Sequence, residues 1–355
     1  MDGGVLQAYL MKERCRILRN TRKRIAEANG IEYQPTECTN TKPCEGTCPA
    51  CEEELRYIER KLDEKKRRGE HIIIDGVSLL DEESLSFGNQ TIETMKTEDI
   101  LLGAIAGDVI GSVYEFCPVK TLNFSLFTEA SRFTDDTVMT VANADWLLTD
   151  DSLLGIMQDY GNRYPTAGYG GRFCSWLSMD DPQPYNSWGN GSAMRVSPVG
   201  WAFDTLEETW DAAKRSAEVT HNHPEGIKGA RATAVCIFLA RTGSSKQEIK
   251  RYVEKAFGYN LDRTCNEIRP DYSFDVSCQG SVPESIIAFL ESTDYESAVR
   301  LAVSLGGDAD TMGAIAGGIA EAYYGGVPAA IKEEVLKRLP DEFVEVMRKF
   351  SIAKL

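Results

Sequence analysis

From about Thr97 onward, apolar residues recur at intervals of three and four, the spacing that gathers one stripe of an α-helix against a core. The pattern predicts helices over Leu101 to Phe116, Asp136 to Leu148, Asp211 to Val219 and Gly226 to Arg241. Ser245-Lys246-Gln247-Glu248 is a capping box that opens another. Pro283 suits the first position of a helix through Leu290, and Asp294 can cap one that stops at Gly306-Gly307. Asp310 to Tyr324 predicts a further helix, halted by Gly325-Gly326. Few stretches alternate with period two, so the expectation is an all-α domain over residues 97–355.

Residues 1–70 read differently. Arg14 to Ala28 and Glu52 to Arg68 are helix-like but highly charged, with only Ile17, Leu18, Leu55, Ile58 and Leu62 as an apolar stripe. The loop from Pro35 to Pro49 lies between them. Residues 71–96 form a connector: His71 to Asp75 suggests a short strand ending at Gly76, and the polar stretch from Asp81 to Thr97 a linker. An internal echo marks the larger unit. Gly103-Ala104-Ile105-Ala106-Gly107 returns as Gly313-Ala314-Ile315-Ala316-Gly317. Glycines four apart share a helical face and let another backbone approach closely, which holds each helix rigidly beside the acidic residues that adjoin it.

Charge is unevenly spread over this chain of net charge −16. Residues 1–70 hold 15 Lys/Arg and 13 Asp/Glu, against 24 and 42 in the remainder. So acidic a body repels a nucleic-acid backbone unless cations are bound. There is no apolar run long enough for a bilayer and no secretory signal, so a cytoplasmic protein is expected. The scattered Cys117, Cys174, Cys236, Cys265 and Cys278 then read as reduced thiols, mostly buried.

Part of the acid sits in motifs. Thr134-Asp135-Asp136-Thr137 falls at a predicted helix start, where Thr134 can cap and the acids favour the helix dipole. Asp308-Ala309-Asp310-Thr311, after a double glycine, can be read the same way. Together the two motifs offer four carboxylates and threonine hydroxyls, all hard oxygen ligands, and two divalent cations would neutralise them in number. Oxygen-only ligation suits Mg²⁺ or Mn²⁺ rather than zinc. Asp108, Ser112 and Glu115 follow one another at about one helical turn, and Glu115 alone reads equally well as a surface residue. Gly168-Tyr169-Gly170-Gly171-Arg172 and Gly189-Asn190-Gly191-Ser192-Ala193-Met194-Arg195 are glycine-rich loops whose amides can hold phosphate oxygens, although most such loops are simply turns. His221 and His223 lack the companion Cys or His of a zinc site; His221 suits hydrogen bonding to a polar ligand and His223, before Pro224, a structural role.

In this order the motifs resemble the ADP-ribosylglycohydrolase family over about residues 97–330. The resemblance implies an orthogonal helical bundle with two Mg²⁺ or Mn²⁺ ions in a cleft, held by Thr134, Asp135, Asp136, Asp308, Asp310 and Thr311. It places Gly168, Tyr169 and Gly170, together with Gly189, Asn190, Gly191, Ser192 and Met194, in loops around the diphosphate and distal ribose, and His221 in the cleft wall. Glu115 matches a flexible-loop glutamate of the serine-specific branch that closes over the metals and helps the reaction, which implies a catalytic role for it beside Asp136 and Asp308. The implied reaction is release of ADP-ribose from a modified protein side chain, serine ahead of arginine, by a water that the cations activate and whose proton Asp136 or Asp308 accepts. Free ADP-ribose derivatives, ADP-ribosylated nucleic acid and a non-catalytic ADP-ribose reader are the competing readings. The last is disfavoured because every expected ligand position is filled.

Cys38, Cys44, Cys48 and Cys51 lie outside that resemblance. Four cysteines within fourteen residues, between helices too polar for a good core, read as a metal staple for zinc or, next, an iron–sulfur cluster; four free thiols are the plain alternative. Binding of another protein, or targeting, is the simplest purpose for such a unit.

Overall fold

The computed structural model describes residues 22–23, 25–26, 29–34, 49–68, 72–74, 77–79, 100–149 and 151–354. The chain divides into two compact units, Met1–Ile92 and Glu93–Leu355. In the first, α1 (Pro49–Arg67) starts at a proline, whose missing N–H costs nothing at a helix start. Ala26, Ile31 and Ile58 make a small apolar cluster, beside which Glu54 accepts from Arg22 and from the Tyr33 hydroxyl. The expected short strand is β1 (Ile72–Ile74), and it pairs antiparallel with β2 (Val77–Leu79). Cys38, Cys44 and Cys48 lie outside the described residues, as does the Cys51 side chain.

Every regular element longer than an isolated bridge among the second unit's described residues is a helix. In chain order it comprises α2 (Leu102–Gly111), α3 (Asp135–Leu148), α4 (Leu153–Arg163), α5 (Gly171–Leu177), α6 (Gly191–Met194), α7 (Ser197–Ala202), α8 (Leu206–Glu218) and α9 (Pro224–Arg241). Then come α10 (Lys246–Phe257), α11 (Cys265–Ile268), α12 (Cys278–Glu291), α13 (Tyr295–Val303), α14 (Ala309–Tyr324), α15 (Ala329–Leu336) and α16 (Asp341–Lys354). No helix among the described residues is long and apolar enough to cross a membrane.

The two halves of the glycine echo face each other. Helix α2 runs antiparallel to α14, with Gly103 against Gly317, Gly107 against Gly313 and Gly111 against Ala309. A Cβ added at Gly107 would stand 2.0 Å from the Gly313 carbonyl oxygen, so the contact is backbone on backbone. Both helices are buried on every side along most of their length, and α9, α12 and α13 enclose the rest of α14. This pair is the rigid axis of the domain. Asp108 lies near the C-terminal end of α2 and Asp310 at the start of α14, so the backbone contact between the two helices sets the position of both acids.

The capping boxes at Ser245 and Asp294 form, and Gly325 adopts the left-handed conformation that ends α14. Pro283 departs from expectation. It lies inside α12, which starts five residues earlier because Ser277 accepts from the Gly280 amide at 3.0 Å and caps the helix there.

Candidate metal and ligand cleft

The first acidic motif is held from below. Asp108 of α2 accepts the Thr134 amide at 2.9 Å, the Thr134 hydroxyl at 2.7 Å and the Thr137 amide at 3.1 Å, together with the Thr137 hydroxyl. Thr134 caps α3 as expected, its oxygen accepting from the Asp136 amide at 3.3 Å. The second motif opens α14 without a side-chain cap. Asp308 instead accepts from Asn190 Nδ2 at 2.8 Å, and Thr311 reaches across to donate to Asp136 Oδ2 at 3.3 Å. That last bond joins the two motifs directly.

Five carboxylates meet above Asp108: Asp135, Asp136, Asp308, Asp310 and Glu115, all lining one cleft. Oxygens of Glu115, Asp308 and Asp310 lie within 4.8 Å of one another. Burial, then repulsion from neighbouring carboxylates, pushes Asp136 and Asp135 well above the usual range. Asp310 is raised the same way, by burial and then by Asp308. Burial likewise raises Asp308 to about 6, and burial with Asp310 beside it raises Glu115 to about 8. The basic groups lining the cleft are Arg172, Arg195 and His221. Asp136 Oδ1 is buried with no hydrogen-bond partner. Such an oxygen costs free energy unless something neutralises it, so a divalent cation fits this donor set on chemical grounds.

The cleft measures about 490 Å³. Gly168 and Gly170 form one wall; Gly168 has φ 114°, and a Cβ there would sit 3.3 Å from Asp135 Oδ1. Gly189, Asn190, Gly191 and Met194 form another, where Asn190 O accepts from Ala193 and Met194 and turns Gly191–Met194 into a short helix rather than a loop. His221 lines the end, with Nε2 facing Gly191.

Two residues expected at the ligand turn their side chains elsewhere: Tyr169 packs its ring on Phe173 at 5.3 Å, and Ser192 donates to the Gly226 carbonyl at 2.7 Å. His223 caps α9, accepting from the Glu225 amide at 3.1 Å.

Other parts of the site were not anticipated. Asp108 fastens the first motif, yet its position in an apolar helix pointed only to proximity. The rim carries Phe116 (77% exposed), Phe274 (47%), Trp188 (46%) and Val276 (44%), unusual exposure for large apolar side chains. Trp188 and Phe116 could have been suspected because they adjoin Gly189 and Glu115. Nothing in the pattern around Phe274 singles it out.

Residues 91–353 match the sequence profile of the ADP-ribosylglycohydrolase family. The human ADP-ribosylhydrolase ARH3 is 27% identical over 305 residues, covering 63% of this chain and 84% of its own. The ADP-ribosylarginine hydrolase Tri1 of Pseudomonas putida is 26% identical over 277 residues, covering 68% and 74% respectively. A solved structure of an ADP-ribosylglycohydrolase-related protein complex shares the fold, with a TM-score of 0.56 at 24% identity over 72% of this chain and 96% of that one. The chain belongs to the ADP-ribosylglycohydrolase family and is, by that membership, a glycohydrolase.

Proposed function

We propose that this protein cleaves the glycosidic bond joining ADP-ribose to a protein side chain, with serine ahead of arginine. The observation that carries the reading is the buried, unpartnered Asp136 Oδ1 among five carboxylates at one end of a glycine-walled cleft. Thr134, Asp135, Asp136, Asp308, Asp310 and Thr311 would hold two Mg²⁺ or Mn²⁺ ions. When bound, these ions neutralise the carboxylates, acidify water and polarise the ribose hydroxyls.

The chain's own groups do the rest. Without side chains, Gly168, Gly170, Gly189 and Gly191 let the diphosphate approach the walls closely, directing the distal ribose to the acidic end. The Gly189 and Asn190 amides are already bonded to Ser187 Oγ and the Val276 carbonyl. Asp136 or Asp308 accepts the proton of the attacking water, and the surrounding carboxylates favour oxocarbenium character at the anomeric carbon. Glu115, on the turn after α2, stands beside Asp308 and Asp310 where the acceptor must leave. Phe116 and Phe274, their ring centroids 6.1 Å apart, form the lip it passes. The preference for serine rests on the likeness of Gly107 to Glu115 to the serine branch.

The test is release of ADP-ribose from serine- and arginine-linked peptides in Mg²⁺. Faster release from the serine conjugate is expected. Release from the arginine conjugate alone would reverse the preference, and release from neither by cation-loaded protein would refute the protein-substrate reading.

A further inference from the structure

We propose that Arg195 and Thr220 form a buried relay that fixes the tautomer of His221, so that its Nε2–H is presented to the cleft as a hydrogen-bond donor. Arg195 follows Met194 of the glycine-rich wall but turns inward, only 1% exposed. Its Nη2 donates to the Ser216 carbonyl at 2.7 Å and to Thr220 Oγ1 at 2.9 Å. Thr220 is fully buried, and its Oγ1 lies 2.7 Å from His221 Nδ1.

Proton counting decides the direction. A hydroxyl carries one proton and two lone pairs, and Arg195, which has no lone pair to offer, occupies one of those pairs as a donor. If His221 donated from Nδ1, the Thr220 proton would be left in the interior without an acceptor. If Thr220 donates to Nδ1, the Thr220 hydroxyl and His221 Nδ1 are both satisfied, although Arg195 Nε keeps no partner. A neutral imidazole then carries its proton on Nε2. Burial and the nearby Arg195 charge hold His221 well below its ordinary pKa, which keeps the ring neutral.

Geometry gives the tautomer a purpose. A Cβ at Gly191 would stand 3.0 Å from His221 Nε2, and one at Gly189 would stand 3.5 Å away. Glycine at both positions leaves Nε2 open to the cleft, where a donor suits a diphosphate or ribose oxygen. Arg195 borders the cleft, but its Nη2 and the buried Thr220 Oγ1 are engaged in the interior, so both are positioning residues acting through His221. The identity of the oxygen rests on the ADP-ribose reading above, whereas the tautomer does not.

The chain has three histidines, so two-bond ¹H–¹⁵N correlation spectra of the ¹⁵N-histidine-labelled full chain can assign His221. In the ligand-free protein at neutral pH the Nε2–H form is expected. Thr220→Val should shift His221 toward Nδ1–H, weaken ADP-ribose binding about three- to tenfold by calorimetry, and raise KM by a like factor with kcat retained. Thr220→Ser should restore both readouts. A merely structural role would alter melting without moving the tautomer. The proposal is overturned if His221 in the unsubstituted protein is Nδ1–H or protonated, a result that needs no variant to fold. It is equally overturned if Thr220→Val leaves tautomer and affinity unchanged. If ADP-ribose fails to bind while the tautomer behaves as described, the relay stands and the ligand reading falls.

Discussion

Asp108 and the aspartates clustered above it share a charge type and a low exposure, yet they are built for different ends. Asp108 has its oxygens filled by amides and hydroxyls of Thr134 and Thr137. Asp136, between those two threonines in sequence, keeps one oxygen without a partner and accepts the Thr311 hydroxyl at 3.3 Å on the other. Saturation marks the acid that fastens one helix to another. On the function proposed above, the vacancy on Asp136 marks an acid that waits for a cation. The two layers therefore separate structure from chemistry within a single cluster.

Substitution should separate them experimentally. Asp310→Ala or Asp308→Ala should lower ADP-ribose release by about a thousandfold or more, since several kcal/mol of cation-derived stabilisation is lost at tenfold per 1.4 kcal/mol. Their thermal stability without cations should hold or rise, because a like charge has been removed. Asp108→Ala should do the reverse. It strands the first amides of α3 in the interior, and urea unfolding should show a loss of about 3 kcal/mol. A stable Asp108→Ala protein with normal activity would dissolve the distinction between the layers.

A smaller effect, but one that sharpens the comparison, is the response to pH. Glu115 and Asp308 bind protons more tightly folded than unfolded, with Glu115 raised to about 8 and Asp308 to about 6. The stability they lend is present below the unfolded carboxylate range near pH 4 and is lost as pH rises through 6 and 8. Chelated protein should therefore melt at falling temperature across that window, by a few degrees, and Mg²⁺ or Mn²⁺ should flatten the curve. A Tm that rises with pH in the chelated protein would contradict the crowding of unneutralised carboxylates.

Much of this was legible in the sequence because it depends on local chemistry. Thr134, Asp294 and Ser245 cap the helices they precede, and the period of apolar residues marks α3, α9 and α14. The glycine echo announced close backbone contact, though not that its two copies contact each other. That pairing joins residues some two hundred positions apart, and periodicity carries no information on partners. The same limit applies to Asp108, Arg195 and Phe274, whose significance lies in what tertiary structure sets against them. It also explains Tyr169 and Ser192. Both belong to glycine-rich segments whose backbone faces the cleft, while their side chains satisfy the interior.

The central claim is that the upper layer holds divalent cations and that hydrolysis depends on them. Titrating Mn²⁺ into chelated protein while following bound metal by electron paramagnetic resonance and ADP-ribose release in the same samples tests it directly. The account predicts two ions per chain, with release rising as they bind and both signals lost in Asp310→Ala. Full release in excess chelator, or binding that persists unchanged in Asp310→Ala, would contradict it.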